Sequence, residues 1–428
     1  MQPKLKPTLG LFDATAISIG AIIGAGIFVV TGIAAGFAGP ALIFSMILAA
    51  AIALFTALSF VELAAWQPKE GSIYEYAYQL ISPFAGFLTG WMWMLSNTFT
   101  GAAVSLGFAY YFTALFPNLN AKWTAALLCL IFTAINFFGI RQSALVNNVL
   151  VAAKLFILGF FSFFGLGHMD LAHFSPFIPS EVGVLYGACY IFFAYGGFAR
   201  VAVVAEEVKD AKRNVPKAML ISLLVSTVFY VLVGVVAIGL VGAERLSGSN
   251  SPLSEAISVV GNPTAVYMVS AGGLLATASV LLTSILGVSR LAYAMARRED
   301  LPKVFGKLHS KYNTPYCSVW IAGVLMMMFA LFIDLTKVVA ISTFALLFYY
   351  SLANVSALRL EKREKMYPPI VSVLGVATCS ALLVFILFVS PQAWIMGIAG
   401  LFIGAVFYVA KKNFRGKMFR KASWSVGK

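Results

Sequence analysis

Charge is what this sequence has least of. Only 11% of its residues are charged, against 61% hydrophobic ones, a balance far outside the range of water-soluble globular proteins. Carboxylates are scarcer still. The 16 acidic residues, from Asp13 and Glu62 to Glu361 and Glu364, all fall at or beyond the ends of apolar stretches, and none sits at the middle of one. The four cysteines, Cys129, Cys189, Cys317 and Cys379, lie inside apolar segments, so neither a disulfide framework nor a thiolate metal site is expected. They read as small buried residues. The three histidines, His168, His173 and His309, fall in loops without metal-ligand spacing, which leaves a membrane enzyme no catalytic groups at depth. We expect no metal, no cofactor and no enzymatic activity.

What the chain has instead is long hydrophobic runs. Stretches of about 20 apolar residues centre near Ile27, Ala51, Ser96, Leu130, Leu155, Phe193, Val231, Leu281, Leu325, Leu346, Val376 and Gly400. They predict an all-α polytopic membrane protein with twelve transmembrane helices and no separate soluble domain. Barrel strands would show short alternating runs instead. The start "MQPKLKPTLG" leads into the first span without a cleavage site, so that helix is read as retained.

The net charge of +14 follows the same layout. With the N-terminus inside, the cytoplasmic side receives Lys4, Lys6, Lys69, Arg141, the basic clusters within 209–217, 290–311 and 359–365, and the tail from Lys411. The outer side receives Lys122, Arg245 and Lys337, while Lys154 and Arg200 lie within spans. This is the positive-inside asymmetry, so both termini are expected in the cytoplasm. Basicity here reports topology in a lipid bilayer rather than a nucleic-acid partner. Short tails point to a prokaryotic inner membrane.

Two spans carry glycine where a helix in lipid can least tolerate it. The first, "AISIGAIIGAGIFVVTG", has Gly20, Gly24, Gly26 and Gly32; the sixth, "YGACYIFFAYGGFARVAVVAEE", has Tyr195-Gly196-Gly197-Phe198 at its middle. Gly20 and Gly24 alone could be a small-residue packing face. Gly26 lies off that face, and the matching interruption comes five spans later in a helix of opposite direction. That is the pattern of two inverted five-helix repeats, with a binding site where the breaks meet. The expected division is 1–166 for the first repeat, 182–359 for the second, 367–410 for two further helices and 411–428 for a basic tail. The loops 167–183 and 242–263 are each long enough for a short surface helix, and 67–83 reads as an amphipathic bent helix.

A broken helix at membrane depth leaves backbone N–H and C=O groups that only a cavity or ligand can satisfy. The outer half beginning near Gly24-Ala25-Gly26 would offer N–H donors and the positive end of its dipole to a carboxylate. Carbonyls at Ala21 and Tyr195 would suit an ammonium. An amino acid carries both groups on one carbon, so the backbone alone could recognise it. A β-carbon at Gly26 would then crowd the ligand carboxylate. Phe28, Phe192, Phe193 and Phe198 surround the breaks, with Ser96, Asn97 and Thr98 in the third span, and Phe193 is the expected gate. With no acid at mid-depth to balance a cationic side chain, neutral substrates are expected.

Lys154 lies in the fifth span, roughly 13 to 18 Å from either interface at 1.5 Å per residue, too deep to snorkel. One reading is purely structural, a lysine paired with carbonyls. The other is functional: an ammonium held by carbonyls of the broken first helix and by hydroxyls of the eighth span, Ser279, Thr283 or Ser284, would couple proton movement to transport. Arg200 lies nearer a span end, where snorkelling and substrate contact are both open.

Five separated segments carry a resemblance: "GAIIGAGIF", "FVELAAWQPKEGSIYEYAY", "NFFGIRQSALVNNVLVAAKLFILG", "FFAYGGFARVAVVAEEVKDAKRNVPKAM" and "SRLAYAMARREDLPKVFGKLHSKYNTP". In order, over nearly the whole chain, they resemble the amino acid–polyamine–organocation transporters, and the cytoplasmic pieces the cationic amino acid branch. The resemblance implies a leucine-transporter-type fold, alternating access and amino acid or polyamine substrates, moved by symport or exchange. It implies carboxylate contacts at Ile23, Gly24, Ala25 and Gly26, amine contacts at Ala21, Tyr195 and Phe198, a gate at Phe193, and proton coupling at Lys154. The chain departs from cationic-substrate relatives at Ala199, which is acidic in some, and in a third span without a carboxylate.

Overall fold

The computed structural model describes residues 7–68, 72–139, 144–177 and 181–425. Among these the chain is almost entirely helical. In chain order the helices are α1 (Leu11–Ile22), α2 (Thr31–Ala38), α3 (Leu42–Trp66), α4 (Ser72–Leu80), α5 (Pro83–Leu115), α6 (Ala121–Phe137), α7 (Ala144–Leu166) and α8 (Glu181–Ala194). There follow α9 (Arg200–Val203), α10 (Ala211–Gly248), α11 (Pro252–Ser258), α12 (Pro263–Arg297), α13 (Tyr316–Phe332), α14 (Leu335–Leu358), α15 (Pro369–Val389) and α16 (Pro391–Ser425).

Each apolar segment marked out in the sequence falls on helix. By length and hydropathy, 7 described helical stretches can cross a membrane, the longest being Leu11–Trp66, and Ala121–Phe137, Val182–Ala194 and Tyr316–Phe332 are shorter apolar helices. The amphipathic segment forms α4, which packs on α5. The two longer connections carry a short 3-10 turn, Leu171–Phe174, and α11.

Local chemistry sets the helix ends. Asn120 and Asn262 cap α6 and α12 by accepting hydrogen bonds from backbone N–H groups of the first turn, and Ser82 does the same for α5. Gly39, at φ 59°, makes the turn between α2 and α3 that a side chain would strain. The outer surface is apolar: Phe156, Phe163, Phe332, Phe388 and Phe402 are all well exposed. An apolar belt of this extent suits lipid rather than water.

Long helix α5 lies at the centre, packed mainly on α12 and α14, while α10 runs along α1 and α3. Around this frame sit the two interruptions. At the end of α1, Ile23 turns to extended backbone (φ −78°, ψ 95°). Gly26–Val30 then forms a wide π turn before α2 resumes the direction. The second helix stops at Ala194 and restarts at Arg200. Beyond the breaks the two are tied again, since Leu9 pairs with Val208 in a short bridge and the Lys209 N–H donates to the Leu9 carbonyl at 2.8 Å.

Glycine lets the breaks touch. A β-carbon on Gly197 would collide with the backbone of Ala21 and Ile22, and one on Gly26 would sit 2.5 Å from the Ala194 Cα. These are contacts with main chain, which cannot rotate out of the way. We therefore expect Gly197→Ala to destabilise the protein by about 1–3 kcal/mol, seen as a lower melting temperature in detergent. Gly167→Ala, whose β-carbon meets nothing within 4 Å, should melt like the wild type; equal melting of both variants would show that the breaks do not depend on close approach.

Candidate functional site

Lys154 explains how the first break survives in a dry interior. Its side chain is 1% exposed. The Nζ donates to the carbonyls of Gly20 (3.1 Å) and Ile23 (3.0 Å) and to Ser279 Oγ (2.5 Å). Ser279 in turn donates to the Ala276 carbonyl at 3.0 Å. Three acceptors match the three donors of an ammonium, so its protonated form is the one fully satisfied here. One side chain on α7 thus bridges the broken α1 and α12.

Of the three hydroxyls expected at Lys154, the structure brings Ser279 alone. Thr283 donates to the carbonyls of Ser279 and Val280 in its own helix, and the buried Ser284 hydroxyl has no partner among the described residues. Helix phase is the reason. Thr283 lies one turn, about 6 Å, beyond Ser279, and Ser284 is rotated roughly 140° away from it.

Between the interruptions lies a cavity of about 30 Å³, room for about two waters. Ala21, Gly24, Ala25, Gly26, Ser96, Asn97, Phe193, Gly196 and Gly197 line it. The first N–H groups of a half-helix have no intrahelical acceptor, and Gly24, Ala25 and Gly26, which open the outer half, lie on the cavity wall. Ile23, Tyr195 and Phe198 do not line it. The Ile23 carbonyl is turned to Lys154. Tyr195 packs on Tyr230 and reaches the Met46 carbonyl. The Phe198 carbonyl accepts from Ser18 Oγ at 3.1 Å, and its ring packs against Phe60 and Tyr350. The expectation for Gly26 also changes: a β-carbon there meets Ala194 and would force the two broken helices apart.

Several lining residues escaped the sequence reading. Ser96 and Ser342 exchange hydrogen bonds, with Thr100 at 2.9 Å from Ser342, so α5 and α14 present a hydroxyl ladder to the cavity. Tyr349 and Leu346 of α14 and Val280 of α12 complete the wall with Arg200. Behind it, tyrosines complete the broken backbone. Tyr230 Oη reaches the carbonyls of Ile22 (2.8 Å) and Ala194 (3.0 Å), one from each break. Tyr111 donates to the Phe28 carbonyl (2.6 Å) in the π turn, and Tyr350 to that of Gly196 (3.2 Å). No sequence signal separates these from the rest of the chain's 17 tyrosines, because each partner is remote in sequence.

A helical bundle with an apolar exterior and a polar-rimmed cavity between interrupted helices defines a multi-pass membrane protein with an internal cavity. The family described as amino acid permease matches residues 9–413, and the chain belongs to that family, whose members are transporters. An uncharacterized transporter of Mycobacterium tuberculosis (strain ATCC 25618 / H37Rv) is 35% identical over 87% of this chain and 85% of its own length. The branched-chain amino acid permease BcaP of Bacillus subtilis (strain 168) is 30% identical over 97% of this chain and 95% of its own. The vacuolar cationic amino acid transporter 4 of Arabidopsis thaliana is 32% identical over 79% of this chain and 61% of its own.

The shared hydroxyl of Tyr230 gives a direct test of the backbone argument. Tyr230→Phe keeps the ring and strands a carbonyl at each break, so it should cost about 1–3 kcal/mol, read as a lower melting temperature. An unchanged melting temperature would mean that water replaces the hydroxyl without loss.

Proposed function

We propose that this chain is a secondary active transporter that moves amino acids lacking a cationic side chain by alternating access, with proton coupling through Lys154. The observation that carries the reading is the juxtaposition of the interrupted segment Gly24–Gly26, which lines the cavity, with a buried lysine on the other side of the same break. The substrate carboxylate takes those N–H groups, and its ammonium takes the carbonyls of Ala21 and Phe193. Phe193, 8% exposed at the cavity wall, closes over it. We infer twelve spans in two inverted repeats, 1–166 and 182–359, followed by helices in 367–410 and a basic tail, with both termini in the cytoplasm. Inverted repeats allow one bundle to rock against the other around a fixed site.

Coupling follows from the number of donors on Lys154. Protonated, it ties Gly20, Ile23 and Ser279 together; a neutral amine has one donor fewer and releases one of them. The two protonation states therefore favour different packings of α1 against α12, and such a difference is what lets a proton gradient bias an equilibrium. Exchange of cationic amino acids or polyamines is the rival reading, supported by the likeness to the Arabidopsis cationic amino acid transporter. Against it stand Ala199 and a cavity whose lining includes no carboxylate among the described residues.

Reconstituted protein should accumulate a radiolabelled amino acid when a pH gradient is imposed. Lys154→Ala should keep measurable equilibrium binding yet lose gradient-driven accumulation, down to the level without a gradient. Lys154→Arg should also fail to couple, since arginine stays protonated. Gradient-driven uptake that persists in Lys154→Ala would remove the coupling role, and a flat response to every amino acid would remove the transport reading itself.

A further inference from the structure

Arg200 enters the cavity wall with no acid to balance it. Resting on the amino acid transport reading above, we propose that the substrate is an acidic amino acid, whose side-chain carboxylate docks on Arg200 while its α-carboxylate takes the N–H groups of the first break.

The guanidinium is built in place rather than reaching outward to water. Arg200 opens α9 directly after the Gly196-Gly197 interruption. Its Nη2 donates to Asn97 Oδ1 at 3.0 Å and its Nη1 to the Thr283 carbonyl at 3.3 Å. The fork also lies over the Trp93 ring, 5.7 Å from the centroid. Gly287 makes the seat, since a β-carbon there would stand 3.1 Å from Nη1 and 2.9 Å from Trp93 Cη2. A residue that merely snorkels has no need of three such supports.

Among the described residues, the groups placed against this cation are neutral. Asn97 and Trp93 face it from α5, Thr283 and Gly287 from α12, and the phenols of Tyr349 and Tyr350 from α14. None of the described ion pairs includes it. Lys154 is spent on the far side of the break, on acceptors of its own. An arginine cannot escape by giving up its proton, and even a partly buried charge without a counter-ion is costly. The remaining N–H groups of the fork are therefore a standing site for a planar anion, which a carboxylate fits in bidentate fashion.

The cavity touches both Gly24–Gly26 and Arg200. In the present conformation that space holds about two waters; widened in the transport cycle, the same walls set the two carboxylates of one small molecule against two different donor sets. Neutral amino acids would satisfy only the first of these, and a cationic side chain would be repelled by the second. With no carboxylate among the described lining residues, a cationic side chain has no counter-charge there; an arginine in the same wall takes the step from non-cationic to anionic.

The test is equilibrium binding of radiolabelled L-glutamate, L-aspartate, L-glutamine, L-leucine and L-arginine to the purified full-length protein in detergent. We expect glutamate or aspartate to bind on the order of tenfold to hundredfold more tightly than glutamine, the size of one charge-assisted pair, with arginine weakest. Arg200→Gln should bring glutamate and glutamine to within about threefold of each other while neutral binding persists. Gly287→Ala, which keeps the charge and displaces the guanidinium, should shrink the same ratio and serves if Arg200→Gln does not fold. Wild-type protein that prefers glutamine or leucine to glutamate would overturn the acidic substrate and leave amino acid transport standing. Absence of binding by any amino acid would overturn both. A glutamate preference unchanged in Arg200→Gln would remove Arg200 from specificity.

Discussion

A main chain that leaves its helix inside a membrane must find partners for every amide it exposes, because no water is there to supply them. The rest of this structure is arranged around that requirement. Two helices are interrupted at the same depth, and the carbonyls they release are taken up by side chains from elsewhere. Lys154 holds Gly20 and Ile23, Tyr230 holds Ile22 and Ala194, Tyr111 holds Phe28 and Tyr350 holds Gly196. The carbonyl side of the breaks is thus supplied by the protein. Gly24–Gly26, where the outer half of the first interrupted helix begins, lines the cavity.

That asymmetry gives the site its chemistry. Donors aimed into a small enclosed space select an anionic group, and the half-helix dipole adds to the effect. Side-chain partners also differ from a regular helix ladder in being exchangeable. A helix keeps its hydrogen bonds when it moves as a body, whereas bonds from Lys154 on α7 or Tyr230 on α10 must break or shift if α1 moves against those helices. Motion and polar satisfaction are therefore linked at the same few residues.

Much of this was legible in the sequence, for physical reasons that are specific. Glycines off a single face mark a break because packing alone does not need them, and a lysine out of snorkelling reach must find partners inside. Other parts were hidden. Thr283 and Ser284 were expected beside Ser279 because all three are hydroxyls in one span, and only helix phase separates them. Ile23, Tyr195 and Phe198 adjoin the breaks in sequence, yet a backbone that turns at each residue sends their groups away from the cavity. Tyr230, Ser342 and Tyr349 meet the breaks only through tertiary packing, and nothing local distinguishes them. Arg200 was ambiguous for the same reason, as its supports come from α5 and α12.

The account stands on the claim that unpaired amides of the break are the substrate's primary anchor. Hydrogen–deuterium exchange of the purified protein, followed by mass spectrometry of peptides covering 22–28 and 193–199 with and without a saturating amino acid that the protein binds, measures those amides directly. Slower exchange concentrated at Gly24–Gly26 in the presence of ligand is the predicted result. Exchange at 22–28 that is identical with and without ligand, while binding is verified in the same sample, would contradict it.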